Sequence, residues 1–562
     1  MTYESIYEAV RDNYVREGAW DRMLEAGDPE AFNLAEEALG RHGESTETAL
    51  RIRDFETGAD EAHSFAELDA AANRAANFFE DATAEGEIYG LLLPPRLELY
   101  AALFGGIKSK RIFVPLDTKF GPDAVTYRMD DADATTIFTT SEYADAIEPD
   151  AISSLERVVV FGDEAPSLEG VEVIAGDRLQ DYDGDYDAKR VSPAEPYGIV
   201  YSSGTTGQPF PGLSPHATAV AIEPYLTFVV DLLPEDEYFA AASPAWSYGL
   251  TVGTLCPGLV GTNIGAYRGP FDLEMWLDTL DRWDVTNAMV APTALRKLQA
   301  ADVDAAAYDV DLRVLVTAGE TLDAETTEWV RDALGTPPLD AYGLSEAGML
   351  LCNYPFPDWE IKPGSMGKPL PGYDVRLMDP DTDVEASGEN PADADEVEFI
   401  DEVGEVGEIC VHQSAGSGPL ADVRPAGWQR TGDLAEVDEQ GYWWYRGRAD
   451  EVIISAGYRI GPEEVQATLR DHEAVEEASV VGVDHETRGT VVKAFVSLAD
   501  GYEDSPELRD RLVEYTKQEL SKHQYPRELD VLDSFPRTAS DKIDRRELER
   551  WHENAVPPAH RP

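Results

Sequence analysis

The chain has 562 residues, of which 110 are Asp or Glu and 45 are Lys or Arg, so its formal net charge is −65. Its 43% hydrophobic residues can build large cores in more than one domain. Binding to nucleic acid or to an anionic membrane surface is disfavoured, because both require a positive surface that this chain can hardly assemble.

The acidic residues are spread along the chain, and the basic residues are 34 Arg and only 11 Lys. Such a surface suits very high salt, where screening removes most self-repulsion, and predicts an extreme halophile. The three cysteines lie far apart, and no leader peptide or long apolar span is evident. We therefore expect a soluble cytoplasmic protein, and the sequence is compatible with an oligomer.

The first predicted element is a helix over 64–80, where Ser64 and Glu67 form a capping box. Apolar runs that predict buried strands and a second helical run follow it, and they alternate as expected for an α/β chain with largely parallel sheets. The predicted strands are 89–93, 111–115, 136–139, 157–161, 198–201, 287–290 and 312–316, and the second helix is 98–107.

Two later segments bear on the domain organisation. Residues 381–404 are acidic and contain Pro and Gly, which predicts a solvated loop. A new βα pattern begins after residues 447–450. We therefore predict a domain of residues 1–448 and a second domain of residues 449–562.

The strongest local signal is the run of Ser, Thr and Gly at 201–209, which follows a predicted strand and precedes a helical run at 215–230. Gly204 and Gly207 permit close approach of the backbone, and hydroxyl and N–H groups around them can surround a polyphosphate. The segment is not a Walker A loop, because no Gly-Lys-Ser/Thr follows. An ordinary Ser/Thr/Gly turn is the alternative.

Other segments carry weaker signals. Ser345 beside Glu346 can hold a hydrated Mg²⁺ against a triphosphate, although this segment taken by itself favours an ordinary loop after a strand. A carboxylate at Asp433 and a guanidinium at Arg448 can bind ribose hydroxyls. Three further segments complete the series, and each alone is weak: 318–321, 455–462 and 536–546.

In their order and spacing, these segments resemble the adenylate-forming superfamily, which includes acyl-CoA synthetases, peptide-synthetase adenylation domains and luciferases. The resemblance runs from about residue 33 to about residue 550 and is nearest to the medium-chain acyl-CoA synthetases. The phrases that carry this nearer resemblance are 361–375, 447–450, 456–460, 488–495 and 525–527. It implies an α/β fold: a large N-terminal domain with two parallel-type α/β subdomains plus a β-rich part, and a small, mobile α+β C-terminal domain.

The resemblance also implies roles for individual residues. Lys542 matches the lysine that stabilises the adenylation transition state, Thr206 belongs to the phosphate loop, and Glu346 matches the magnesium ligand. Asp450 matches the hinge about which the small domain rotates. The implied nucleotide contacts are Ser202, Ser203, Gly204, Thr205, Thr206, Gly207, Gly319, Glu320, Asp340, Ala341, Tyr342, Ser345, Asp433 and Arg448.

The acyl and coenzyme A contacts follow from the same resemblance. At the place of Gly343, acetate-specific relatives have a tryptophan that closes the acyl pocket, so glycine implies an acid longer than acetate. Trp246 and Tyr248 line that pocket in this reading, and core aromatics are the alternative. The implied coenzyme A contacts are Ala456, Gly457, Tyr458, Arg459, Arg488, Tyr525 and Arg527.

Two positions depart from the family pattern. Phe210 stands where the phosphate loop usually has a lysine, so a cation for the β- and γ-phosphates is missing there. Asp541 stands where a glycine usually precedes the catalytic lysine. The first departure predicts slower adenylation or a greater need for Mg²⁺ or another arginine, and the second predicts an altered lysine loop with a lower local electrostatic potential.

The sequence thus predicts an AMP-forming acyl-CoA synthetase that uses ATP, Mg²⁺, coenzyme A and a medium-chain or branched acid. The alternatives are a benzoate-type aryl-CoA ligase, an adenylation domain that loads a carrier protein, and a nucleotide- or acyl-binding homologue of weakened catalysis. The carrier-loading adenylation domain is weakened as an alternative, because no appended carrier segment is evident in the sequence. An acidic scaffold protein leaves the ordered motifs unexplained.

Overall fold

A computed structural model describes most of the chain, in segments separated by short gaps. The described residues are 5–15, 18–24, 31–162, 168–202, 209–301, 303–345, 347–380, 399–413, 427–455, 458–485, 489–499, 501–520, 524–537 and 543–553. The chain divides into two compact units. The first comprises Met1–Asp374 and His412–Gly427, and the second comprises Val375–Val411 and Trp428–Pro562. The boundary after residue 448 stays a prediction.

The strands are numbered in chain order. They are β1 (Thr48–Asp54), β2 (Asp60–Ser64), β3 (Ile88–Leu92), β4 (Ile112–Pro115), β5 (Thr136–Thr140), β6 (Arg157–Phe161), β7 (Glu172–Ala175), β8 (Pro196–Ser202), β9 (Phe210–Pro215), β10 (Tyr238–Ala241), β11 (Ile264–Arg268), β12 (Asn287–Val290), β13 (Val314–Ala318), β14 (Pro338–Leu344), β15 (Gly348–Cys352), β16 (Lys368–Pro369), β17 (Asp374–Met378), β18 (Phe399–Ile400), β19 (Gly407–Gln413), β20 (Gly427–Val437), β21 (Trp443–Arg448), β22 (Ile453–Ser455), β23 (Tyr458–Ile460), β24 (Val475–His485), β25 (Gly489–Leu498) and β26 (Glu528–Val531).

The α-helices are numbered in the same way. They are α1 (Ile6–Asn13), α2 (Ala19–Met23), α3 (Leu34–Ala38), α4 (Phe65–Ala82), α5 (Leu97–Lys108), α6 (Pro122–Asp131), α7 (Thr218–Ala221), α8 (Glu223–Tyr225), α9 (Ser247–Leu250), α10 (Cys256–Val260), α11 (Leu273–Arg282), α12 (Pro292–Ala300), α13 (Ala324–Leu334), α14 (Pro462–Arg470), α15 (Pro506–Glu519) and α16 (Arg545–Glu553). Two single π-helical turns, Leu226–Val230 and Thr251–Leu255, extend α8 and α9.

The first unit contains two largely parallel sheets. One has the order β7-β6-β5-β3-β4-β8-β9 and is parallel except for β9, which runs antiparallel to β8. The other has the order β10-β12-β13-β14-β15-β16 and is parallel as far as β14. Apolar side chains from the strands and from helices such as α4 and α5 form the cores beside these sheets. The predicted parallel α/β architecture is confirmed.

Smaller sheets complete the described structure. In the first unit β1 lies between β11 and β2. In the second unit β18-β17-β19-β20-β21 form one sheet, and β23-β22-β25-β24 form another, to which β26 adds beside β25. Helices α14, α15 and α16 accompany this last sheet, so the end of the chain has the predicted α+β composition.

Local sequence signals predicted several elements well. Helix α4 has Ser64 as its N-cap, and Glu67 completes the capping box. The predicted helix at 215–230 is wrong in part, because β9 extends to Pro215 and the following residues form short helices and a π-turn around Pro224. The loop predicted at 381–404 is also wrong in part, since Phe399–Ile400 form β18, whereas 381–398 lie outside the described residues.

Candidate active site

The predicted adenine-facing residues lie on two neighbouring strands. β13 ends at Ala318, and the following residue, Gly319, has a φ of +96° that favours glycine. Parallel β14 carries Asp340, Ala341 and Tyr342, and its Ala341 pairs with Ala318. Ligands of open α/β sheets bind outside the carboxyl ends of the strands, which is where these residues meet. The structure therefore brings this predicted group together, and residues 340–344 belong to a strand and not to a loop.

Two residues that pair across these strands each carry a buried polar atom. The Oγ1 of Thr317 and the Oδ1 of Asp340 accept or donate no hydrogen bond among the described residues, although the two residues pair across β13 and β14. Burial raises the pKa of the Asp340 carboxyl well above its ordinary value, and N–H groups of Ala341 and Leu322 only partly oppose this shift. A neutral carboxylic acid at this position can donate as well as accept a hydrogen bond.

The carboxylate of Glu320 is held by helix α12. Its Oε2 accepts hydrogen bonds from Thr293 Oγ1 at 2.6 Å and from Arg296 Nη2 at 2.5 Å. These partners are more than twenty residues away, so no local pattern predicts them. The bonds fix the side chain of Glu320 against α12.

The two predicted pocket aromatics lie at the start of α9. The indole of Trp246 covers Gly319, because a Cβ on that glycine would lie 2.8 Å from Trp246 Cζ2. The rings of Trp246 and Tyr248 have centroids 5.5 Å apart. The hydroxyls of Tyr248 and Tyr225 share a buried hydrogen bond of 2.6 Å, and Tyr225 was not predicted. A π-helical turn begins directly after Tyr225, and another begins three residues after Tyr248. Such turns are rare in proteins overall, and many of those known lie at functional sites.

Gly343 does not face open space. A Cβ on it would lie 2.5 Å from the carbonyl oxygen of Gly348 and 2.8 Å from both Cα and Sδ of Met349. Met349 is opposite Gly343 on β15 and is buried. The space directly beside the Cα of Gly343 is therefore occupied by Met349.

The predicted phosphate loop lies mostly outside the described residues. Ser202 ends β8 and pairs with Phe210 on β9, whose side chain is 66% exposed. The carbonyl of Pro209 accepts a hydrogen bond from Tyr127 at 3.0 Å. The predicted residues not described are Ser203, Gly204, Thr205, Thr206 and Gly207, and Glu346 is likewise not described, whereas Ser345 is exposed directly after β14.

In the second unit the two predicted ribose contacts are neighbours. Asp433 on β20 pairs with Arg448 on β21, and Arg448 Nη1 lies 3.5 Å from Asp433 Oδ1. Tyr445, which was not predicted, donates its hydroxyl to the same oxygen at 3.2 Å. Arg448 Nε also donates to Asp450, the predicted hinge residue, at 2.8 Å. Burial lowers the pKa of Arg448, but its bond to Asp450 and the charge of Asp433 outweigh burial and raise it. The predicted ribose contacts and the predicted hinge residue thus form one network of charged groups.

Lys542 and Asp541 lie outside the described residues, but arginines on either side of them form ion pairs within the second unit. Arg537 bridges to Ile543, and its Nη2 lies 2.7 Å from both carboxylate oxygens of Glu477. Arg545, at the start of α16, donates to Glu451 and to Glu463, and its Nη2 also donates to Gln466 at 3.1 Å.

Two of the predicted coenzyme A contacts lie together. The guanidinium of Arg527 stacks on the ring of Tyr525 at 4.0 Å and donates to its hydroxyl. The ammonium of Lys517, which was not predicted, lies 5.5 Å from the same ring. Tyr458 and Arg459 belong to β23, whereas Ala456, Gly457 and Arg488 lie outside the described residues.

Comparisons with known proteins agree with this architecture. Residues 36–417 match the model of the AMP-binding enzyme family, and residues 464–542 match that of the AMP-binding enzyme C-terminal domain. The chain is 34% identical over 537 residues to acetyl-coenzyme A synthetase of Bacillus subtilis. The aligned region covers 93% of this chain and 91% of that protein.

Solved structures show the same likeness. The crystal structure of Brucella canis acyl-CoA synthetase superimposes with a TM-score of 0.73 at 29% identity, over 98% of this chain and 99% of that chain. A benzoate CoA ligase from Burkholderia xenovorans shares the fold, with a TM-score of 0.76 at 24% identity over 92% of this chain and all of that one.

The chain belongs to the AMP-binding enzyme family, with its mixed α/β fold of a large N-terminal and a smaller C-terminal domain. It is an AMP-forming acyl-CoA synthetase, which uses ATP to activate a carboxylic acid and forms acyl-CoA. ATP, the acid and coenzyme A are its substrates. Every described helix is too short or too polar to cross a bilayer.

Proposed function

We propose that the acid is aliphatic and longer than acetate, of medium chain length or branched. The observation that supports this is the apolar surface at the carboxyl ends of β13 and β14, where Trp246 and Met349 cover two glycines and no tryptophan stands at position 343. The Bacillus subtilis relative is named for acetate, so a panel of acids is the direct test.

The residue roles belong to the same proposal. The acid's carboxylate oxygen forms a bond to the α-phosphorus of ATP as the bond to pyrophosphate breaks, and a thiol then attacks the acyl carbonyl and releases AMP. Charge that builds on the phosphate oxygens must be met by cations and donors. We assign Lys542 to that charge and Asp433 with Arg448 to the ribose, on the resemblance and on the pairing of the last two residues. Rotation at Asp450 stays a prediction.

Mg²⁺ belongs to the proposal as well. Ser345 provides an oxygen donor directly after β14, and Glu346 follows it in sequence. Hydroxyl and carboxylate oxygens are the ligands that Mg²⁺ takes in proteins. When bound, the ion neutralises charge on the phosphates, a contribution of particular weight where Phe210 replaces a lysine. The halophilic origin, the cytoplasmic location and the possible oligomer stay predictions.

Acid-dependent ATP–pyrophosphate exchange in molar KCl tests the substrate class. The expected result is exchange with straight or branched aliphatic acids that exceeds exchange with acetate and with benzoate. Exchange with benzoate alone would identify an aryl-CoA ligase. ATP binding without exchange for any acid would identify a homologue of weakened catalysis.

The variant Lys542→Ala tests the assignment of the cation. It should abolish pyrophosphate exchange but leave thioester formation from a supplied acyl adenylate, because the second step does not develop charge on the β- and γ-phosphates. Lys189→Ala is a charge-matched control, since its ammonium pairs with Glu80 at 2.7 Å and with Glu85 at 2.6 Å. Equal loss of both half-reactions in Lys542→Ala contradicts the assignment.

A further inference from the structure

One turn of helix α6 contacts both ends of the predicted phosphate loop. The hydroxyl of Tyr127 donates to the carbonyl oxygen of Pro209 at 3.0 Å, and the hydroxyl of Tyr201 donates to Asp131 Oδ2 at 2.7 Å. Tyr201 and Pro209 are the first and the last residue of the segment 201–209. Tyr127 and Asp131 are four residues apart on α6, so they lie on the same face of the helix. A single helical turn thus holds this segment at its two ends.

The two tyrosine rings and a buried arginine pack together beside these hydrogen bonds. The rings of Tyr127 and Tyr201 meet edge to face, with centroids 6.1 Å apart. The guanidinium of buried Arg128 lies 4.2 Å from the centroid of the Phe120 ring and 5.6 Å from that of Tyr201. Burial and the hydrogen bond to Asp131 raise the pKa of Tyr201, so its hydroxyl stays protonated and remains a donor.

The strand pairing at the base of this segment lacks two backbone donors. Tyr201 on β8 lies opposite Pro211 on β9, and Ser202 lies opposite Phe210. Pro211 and Pro215 have no N–H, so β9 cannot donate a ladder hydrogen bond at either position. β9 is also the last strand of its sheet, and no other described strand pairs with its outer edge. The side-chain hydrogen bonds to α6 therefore supply an attachment that the backbone pairing provides only in part.

We propose that Tyr127, Tyr201 and Asp131 are positioning residues for the binding of ATP. They fix the two ends of the phosphate loop, which lowers the conformational entropy that the loop loses when it orders around a triphosphate. This inference rests on the proposed role of that loop and goes beyond it by naming residues that hold the loop without contacting the nucleotide. Because Phe210 provides no cation, more of the contact to the β- and γ-phosphates must come from N–H and hydroxyl groups of the loop, whose contribution depends on their placement.

The test is ATP–pyrophosphate exchange with a saturating aliphatic acid that the parent enzyme accepts. Tyr127→Phe and Tyr201→Phe keep both rings and remove one hydroxyl each, and each should raise the KM for ATP about fivefold, as expected for the loss of one neutral hydrogen bond. The double variant should raise it about twentyfold. The KM for the acid, and thioester formation from a supplied acyl adenylate, should keep their parental values, because neither involves the β- and γ-phosphates. Equal losses in all of these measurements indicate a merely structural role and overturn the proposal.

Two comparisons separate the positioning of the loop from general effects on structure. Asp131→Ala should raise the KM for ATP as Tyr201→Phe does, whereas Asp131→Asn keeps an acceptor oxygen and should retain the parental value. Tyr182→Phe is the matched control, because it removes a tyrosine hydroxyl that donates to Asp81 Oδ2 on α4 at 3.0 Å. Neither Tyr182 nor Asp81 contacts β8 or β9 through this hydrogen bond, so the KM for ATP should stay unchanged. A rise in Tyr182→Phe equal to that in Tyr201→Phe contradicts the proposal.

Thr206→Ala, a change within the phosphate loop, distinguishes the new inference from the proposed role of the loop itself. Weaker exchange in Thr206→Ala, together with a parental KM for ATP in Tyr127→Phe and Tyr201→Phe, overturns the positioning role of α6 alone. Parental exchange in all three variants overturns the proposed role of the loop as well.

Discussion

Arg545 joins three elements of the second unit through charge, and its replacement by methionine is a sharp test of that arrangement. Its guanidinium donates to Glu451, just after the predicted hinge residue Asp450, and to Glu463 in the first turn of α14. Burial opposes its charge, but the two carboxylates outweigh burial and raise the pKa of Arg545. Arg545→Met keeps the length of the side chain and leaves both carboxylates without this cation.

The expected loss of stability follows from the exposure of the three side chains. They are 23% exposed for Arg545, 33% for Glu451 and 18% for Glu463, between a buried and a surface pair. Removal of one partner costs about 3–5 kcal/mol for a fully buried pair and about 0–1 kcal/mol at the surface, so we expect a loss of about 2 kcal/mol at neutral pH.

The loss should also depend on pH with a definite sign. Burial already raises the pKa of Glu451 above its ordinary value, whereas Arg545 lowers it. A raised pKa in the folded state gives a contribution that is present at low pH and is lost as pH rises through that pKa. Without Arg545 the pKa of Glu451 rises further, so the variant should lose more stability at about pH 7.5 than at about pH 5.

Hydrogen exchange of amides in α14 and α16, read at several urea concentrations, measures the free energy of opening in this unit. Arg509→Met is the control, because Arg509 Nε pairs with Asp504 at 2.7 Å at the surface and should contribute less than about 0.5 kcal/mol. A loss in Arg545→Met that is no larger than in the control, or that is equal at both pH values, refutes the argument.

Two further predictions concern single buried groups. Burial and, to a lesser degree, the charge of Lys110 lower the pKa of His216 from 6.5 to about 3. Its Nδ1 accepts the N–H of Leu34 at 3.0 Å, as only the neutral ring can. The contribution of neutral His216 to the free energy of unfolding is complete above pH 6.5 and falls with pH, by about 2 kcal/mol at pH 5. Urea unfolding of His216→Asn should show a smaller fall between neutral pH and pH 5, and an unaltered fall contradicts the reading. Asp433→Asn, which weakens the link to Arg448 and Tyr445, should raise the KM for ATP about tenfold in pyrophosphate exchange. The control Glu436→Gln, on the same strand and paired with Arg446 at 2.6 Å, should leave it unchanged, and an equal rise in both variants argues against a ribose contact.

Signals that act over a few residues predicted much of the fold. The capping box of α4, the apolar runs of β3 to β6 and the alternation of strands with helices depend on periodicity and caps, which the chain carries in its local order. The strand after the predicted phosphate loop, β9, was not predicted, because 210–215 contains two prolines and no clear alternation. β13 begins two residues later than predicted, an error that periodicity alone cannot prevent.

For the candidate site, the sequence by itself determined which chemical groups are present and in what order, and the family resemblance followed from that order. The tertiary structure decided which groups meet: Met349 over Gly343, Tyr445 with Asp433, and Arg296 with Glu320. These contacts depend on strand register and on helix packing against sheets, which arise only when distant segments are brought together. Contacts that depend on the register of one hairpin are therefore invisible in the sequence, although every residue that forms them can be read there.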